Sequence, residues 1–159
     1  MTAASDRSPE DRLAALGLTL PAVTAPLAAY VPAVRSGNLV YTAGQLPLAE
    51  GQLLAVGKVG DQVSAGEAAA LARTCALNAL AAAVSVAGSL SSIRRIVKVT
   101  GYVASAPGFT GQPQVINGAS ELLLDVFGEA GRHARSAVGM AVLPLDSPVE
   151  VELIAEVRD

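Results

Sequence analysis

Residues 131–139, GRHARSAVG, hold the single histidine of the chain, His133, and an arginine, Arg135, set between Ala134 and Ser136. Side chains alternate across a strand. In HARSAVGMAVL, Ser136, Val138, Met140 and Val142 therefore share one face, and Arg135, Ala137, Gly139 and Ala141 the other. A guanidinium beside a floor of small residues leaves space for something to lie on it, and in a neighbourhood poor in charge it needs an anion to offset its desolvation. A bound anion would meet that need. So would a plain structural pair with Glu150 or Glu152, or a place at a subunit interface, and spacing alone leaves these open.

The acids come from PVEVELIAEV, where alternation puts Glu150, Glu152, Ile154 and Glu156 on one face and the valines with Leu153 on the other. If this strand and the Arg135 strand form a hairpin through Leu145-Asp146-Ser147, as the short connection suggests, Glu150 comes within reach of the arginine. A carboxylate next to a cation stays ionised at neutral pH and can hold or activate a water. Alternating glutamates equally suit the solvated face of an ordinary strand. In YTAGQLP, Gly44 and Gln45 interrupt a good strand at its end, which marks a bulge, a close backbone approach to a ligand, or a plain turn. His133 can serve as an acid or base, or as a hydrogen-bonded structural residue. Cys75 reads as core packing. The sequence contains no serine or cysteine nucleophile motif, phosphate-binding loop or dinucleotide fingerprint.

These groups need a scaffold, and the chain punctuates one clearly. Ser8-Pro9-Glu10-Asp11 opens a short helix with an N-cap serine, proline at the first helical position and acids in the first turn. Two β-prone runs flank Ser36-Gly37-Asn38, the turn chemistry of a hairpin, and Pro32 puts the first of them at an edge or a bulge. A loop around Gly51 and a short third strand follow. Ser64 or Ala65 then opens a long helix rich in alanine and leucine, closed by Gly88, whose wide apolar stripe asks to be covered by a sheet. IRRIVKVTGYVAS reads as a strand, Pro113 to about Glu129 as a second long helix, and HARSAVGMAVLP and PVEVELIAEV as two further strands. The order predicts an α+β fold: a two-layer sandwich with a mixed or antiparallel sheet and two helices on one face.

Composition narrows the function. The 159 residues, 52 % of them apolar, suit one domain spanning 1–159, with residues 1–25 as an N-terminal helix and connector extension. With only 16 % charged residues, apolar surface covered by partner subunits is expected. The net charge of −3 carries no runs of either sign, so nucleic acid is not an expected partner. No apolar stretch approaches the uncharged run of about 20 residues that spans a bilayer, and the polar start MTAASDRSPEDR is unlike a secretory signal. A soluble, cytoplasmic protein without a membrane partner follows as the expectation. One cysteine and one histidine leave no zinc-like cluster, and no metal or cofactor is expected.

Taken together, YVPAVRSGNLVYTAGQLP, the NGAS of the second long helix and HARSAVGMAVLPLDSPVEVE resemble the Rid family of reactive intermediate deaminases, also called YjgF-like proteins. The closing signature is the most specific part: an Ala-Arg-Ser core, a Leu-Pro turn, then an alternating strand containing the acid. The resemblance runs from about residue 26 to the end, and the wording GRHARSAVG points to a divergent branch. It implies a chorismate-mutase-like fold assembled as a homotrimer, with three ligand sites in the clefts between neighbouring subunits. It also implies cofactor-free hydrolysis of 2-imino acids or their enamine tautomers, such as 2-iminopropionate and 2-aminoacrylate, to a 2-keto acid and ammonia.

Carried over residue by residue, Arg135 matches the arginine that binds the substrate carboxylate, and Glu150 the acid that positions the attacking water. Gly44 matches the strand-end backbone facing the ligand, Tyr30 an aromatic lining residue and Asn117 an asparagine near the site. The pattern is broken at two substrate-facing positions. Ala43 stands where active members commonly have serine, and Ala137 where many have cysteine, which makes the pocket wider and more apolar. A non-catalytic trimer that binds a small carboxylate metabolite, as a sensor or scaffold, therefore stands as the alternative. Ribonuclease activity, attached to some relatives, finds little support in one histidine and an acidic chain.

Overall fold

In the computed structural model, which describes residues 7–159 apart from Thr24 and Leu27, Gly37 and Asn38 turn β1 (Ala33–Ser36) back onto β2 (Leu39–Thr42) as an antiparallel hairpin. Of the expected N-terminal extension, residues 1–6 and Thr24 lie outside the described residues. Helix α1 (Pro9–Ala15) begins as its sequence demands, with Ser8 Oγ accepting a bond from the Asp11 amide. Residues 48–53 form not one short strand but two, β3 (Leu48–Ala49) and β4 (Gln52–Leu53), because Glu50 and Gly51 both take the left-handed conformation that closes a tight hairpin.

Helix α2 (Ala65–Ala87) is set at its start by a capping box: Ser64 Oγ accepts from the Glu67 amide, and the Glu67 carboxylate accepts from the Ser64 amide. Gly88, at φ 98°, ends it. Contrary to the reading of the sequence, α2 is long and apolar enough to cross a membrane by length and composition, with a mean hydropathy of 1.5. In the fold its Leu71, Cys75, Ala79 and Leu80 are buried instead against the sheet and the next helix. Burial pushes the Cys75 thiol well up from its ordinary value, in keeping with core packing.

Strand β5 (Ile93–Ala104), helix α3 (Gln112–Phe127), strand β6 (Ala134–Met140) and strand β7 (Val149–Val157) complete the chain. The sheet order is β1-β2-β7-β5-β6, all antiparallel except for the β5–β6 pair, and α2 and α3 cover one face. The two-layer α+β sandwich is what the sequence predicted, and of the mixed and antiparallel sheets it left open, the parallel β5–β6 pair makes the sheet mixed.

One expectation is corrected. β6 and β7 do not form a hairpin. The crossover through α3 lays β6 parallel along one side of β5, and β7 takes the other side, between β5 and β2. The connection from Met140 to Val149 is long enough to pass the end of β5, turning at Leu145 and Asp146, both at positive φ.

Candidate functional site

Arg135 lies opposite Val99 on β5, and Val99 lies opposite Leu153 on β7, so all three project toward the helices. There the guanidinium meets α3. Its Nη1 donates to Asn117 Oδ1 at 2.7 Å and to Ser120 Oγ at 3.3 Å, two residues one helical turn apart. Neither Nε nor Nη2 bonds a described residue, and Arg135 forms no ion pair among the described residues. The structural pair with Glu150 or Glu152 that spacing left open is therefore not made within one chain.

Ser120 also meets His133, with its Oγ 2.8 Å from Nε2, and His133 Nδ1 is 2.6 Å from the Gly131 carbonyl. A carbonyl only accepts, so Nδ1 carries the proton and the neutral ring accepts at Nε2 from the Ser120 hydroxyl. Burial lowers the His133 pKa below its ordinary value, and the nearby Arg135 charge pushes it the same way, against the opposing pull of the Gly131 carbonyl.

A second group gathers elsewhere. In β7, Val149, Val151 and Leu153 are buried under the helices, and Glu150 and Glu152 face away from them. Tyr102 pairs with Glu150 in register, and its hydroxyl donates to Glu152 Oε1 at 2.8 Å; burial, that bond and the two glutamates push the phenol up to about 12. Glu150 itself is half-buried and makes no hydrogen bond or ion pair among the described residues. Burial first and the Glu152 charge second raise its pKa above the ordinary carboxylate value. A cation-stabilised Glu150 was expected; within one chain, β5 separates it from that cation.

Gly44 lies against this carboxyl. Between Tyr41, opposite Ile154, and Gln45, opposite Val151, the β2 segment carries one residue more than β7, so of the bulge, close approach and turn that the sequence left open, the bulge is present. Gln45 exchanges both backbone hydrogen bonds with Val151, at 2.8 and 3.0 Å, and the Gly44 amide has no partner among the described residues. Ala43 donates its amide to the Pro32 carbonyl at 2.8 Å and accepts from Gln45 Nε2 at 3.2 Å. Gly44 and the exposed Tyr30 line one mostly apolar cavity of about 100 Å³, with Pro26, Leu46, Leu48 and Leu145.

The expected residues thus fall into two separate groups. Tyr30, Ala43, Gly44 and Glu150 belong to one; Arg135, Asn117 and Ala137, the last opposite Gly101 on Arg135's face, belong to the other. Arg135 and Glu150 point to opposite faces of the sheet, two strand spacings and three residues apart, roughly 14 Å between Cα atoms. Sequence reasoning missed Ser120, although its spacing three residues after Asn117 was a usable signal. Among the described residues, no group of three or more His, Cys, Asp or Glu gathers to hold a metal ion.

A family profile described as "YjgF/chorismate mutase-like, putative endoribonuclease" matches residues 10–157. This chain belongs to the YjgF-like family. The match takes in most of α1, which the recognisable motifs did not reach, and the fold is the family's chorismate-mutase-like sandwich. Among YjgF-like relatives, the protein TCP17 of Trypanosoma cruzi is 43 % identical over 145 residues, covering 91 % of each chain. The crystal structure of Atu1372 from Agrobacterium tumefaciens is 48 % identical, covers 94 % of this chain and 92 % of its own, and superposes with a TM-score of 0.88. E. coli TdcF, crystallised with bound serine, is 29 % identical, covers 89 % of this chain and 96 % of its own, and has a TM-score of 0.63. The low identity to TdcF fits a divergent branch of the YjgF-like proteins.

Proposed function

We propose that this YjgF-like protein is a cofactor-free hydrolase of 2-imino acids and their enamine tautomers, acting at sites completed between copies of a homotrimer. One observation carries the reading: the Arg135 guanidinium is anchored through Nη1 to two neutral oxygens, and its Nε–Nη2 edge is uncommitted. That edge is the fork that grips a carboxylate through two parallel charge-assisted bonds. The amino acid bound in TdcF carries an α-carboxylate and an α-nitrogen, the same pair of groups as a 2-imino acid.

The two half-sites lie on opposite faces of the sheet, so a productive site needs Arg135 of one copy to face Glu150 and Gly44 of another. The face turned away from the helices supports such an assembly. Val34, Tyr41, Val138 and Met140 are all exposed on it, an apolar area suited to another copy of the chain. In the reaction, Arg135 holds the substrate carboxylate and Glu150 takes a proton from the water that attacks the imine carbon. Glu150 passes that proton to the imine nitrogen as the C–O bond forms, giving a carbinolamine. The carbinolamine hydroxyl then gives its proton to Glu150, which returns it to the amine as the C–N bond breaks, releasing ammonia and the 2-keto acid. A carboxyl whose pKa is raised toward neutrality is suited to taking and returning that proton, and the free Gly44 amide can orient the water or substrate.

The test generates 2-iminopropionate with an amino-acid oxidase and follows its decay by semicarbazide trapping. Wild-type protein should accelerate decay and Arg135→Ala should not; equal rates would overturn the reading. Ala43 and Ala137 favour a second reading, a trimeric binder of small carboxylates without turnover, which predicts Arg135-dependent thermal stabilisation by 2-keto acids with imine decay at background. The endoribonuclease description of some relatives finds less support here, with a net charge of −3 and a single histidine engaged at both ring nitrogens.

A further inference from the structure

Ser120 and His133 take no part in the hydrolysis just described. We propose that they are positioning residues for the ligand carboxylate: the neutral His133 ring draws the Ser120 proton to Nε2, so that Ser120 Oγ is left to accept from Arg135 Nη1 and turns the Nε–Nη2 edge outward. The inference rests on the carboxylate-binding reading of Arg135.

The direction of each bond follows from its neighbour. The Gly131 carbonyl fixes the proton on Nδ1, which makes Nε2 an acceptor. Ser120 has one proton, and giving it to Nε2 leaves only lone pairs toward the guanidinium. Gly131 is held where its carbonyl meets the ring by close packing on α3, for a Cβ there would run into the Leu123 carbonyl. Without the imidazole acceptor, the Ser120 hydroxyl would be free to bond back to a carbonyl of its own helix, as serines in helices do, and Arg135 would keep only its Asn117 anchor. His133 therefore acts on the ligand through Ser120 and Arg135, without touching it.

The experiment compares wild type with Ser120→Ala, His133→Phe, His133→Gln and the Ser120→Ala/His133→Phe double variant. Pyruvate binding is measured by calorimetry and 2-iminopropionate hydrolysis by semicarbazide trapping. Losing one anchoring bond should weaken pyruvate binding and raise KM about five- to tenfold, with kcat changed less than about twofold. The double variant should be no worse than either single one, because the two residues form one relay. His133→Gln, whose amide oxygen can stand near the place of Nε2, should recover most of the affinity. Nitrogen NMR of the wild-type ring should show Nδ1 protonated and Nε2 bare.

Variants with wild-type pyruvate affinity, losses confined to kcat, or a ring protonated at Nε2 alone would overturn the relay and leave the carboxylate site standing. Wild-type protein that neither binds pyruvate nor hydrolyses the imine would sink the carboxylate site and the relay with it. If His133→Phe does not fold, Ser120→Ala, which removes a single oxygen, decides the question.

Discussion

A Cβ placed on Gly44 would stand 2.8 Å from Glu150 Cδ and 2.9 Å from its Oε1. The clashing atoms are the far end of a flexible side chain, so the fold can yield where the proposed chemistry cannot. Gly44→Ala should keep its melting temperature within about 2 °C of wild type, yet lose about 10²-fold in kcat/KM through a displaced carboxylate. Thermal unfolding and imine decay on the same preparation check this.

Arg135→Lys keeps the charge and removes the fork. A point charge cannot make two parallel bonds to a carboxylate, so pyruvate should bind about tenfold more weakly, and Arg135→Ala should lose about tenfold again. Calorimetric titration measures both.

The raised pKa of Glu150, caused by burial and then by Glu152, makes a stability prediction. The folded chain favours the protonated carboxyl, so this group's contribution is fully present below the unfolded value near 4.5. It is lost as pH rises through the folded pKa. Glu150→Gln should therefore melt higher than wild type at pH 7, with the gain vanishing below pH 4.5, and should be inactive in hydrolysis.

His133 has the opposite sign. Its folded pKa lies below 6.5, through burial and then Arg135, so its stabilising contribution is present above pH 6.5 and lost as pH falls through the folded value. His133→Gln should show a flatter melting temperature between pH 7 and pH 5 than wild type. Differential scanning calorimetry across that window tests it.

Val138 is 42 % exposed and opposite Tyr102, on the face without helices. Val138→Glu should break the proposed homotrimer by burying a charge between copies, and the proposed hydrolysis should fall with the assembly. Light scattering after size-exclusion should find monomer, with helix content unchanged by circular dichroism.

The sequence by itself determined the elements and their faces, because the interactions responsible are local. Ser64 and Glu67 cap α2 across one turn, Gly37-Asn38 makes its hairpin turn from its own dihedral preferences, and alternation in β7 separates Glu150 from Val149 and Val151. The small residues beside Arg135 could be read in the same way, whereas Gly44 left a bulge and a plain turn open until the pairing with β7 showed the extra residue. Which strands become neighbours could not be read so, because pairing joins segments far apart in sequence and depends on where α3 returns the chain. The crossover put β5 between β6 and β7. That one arrangement placed Arg135 and Glu150 on opposite faces, brought Ser120 and His133 to the arginine, and packed Gly44 against the acid.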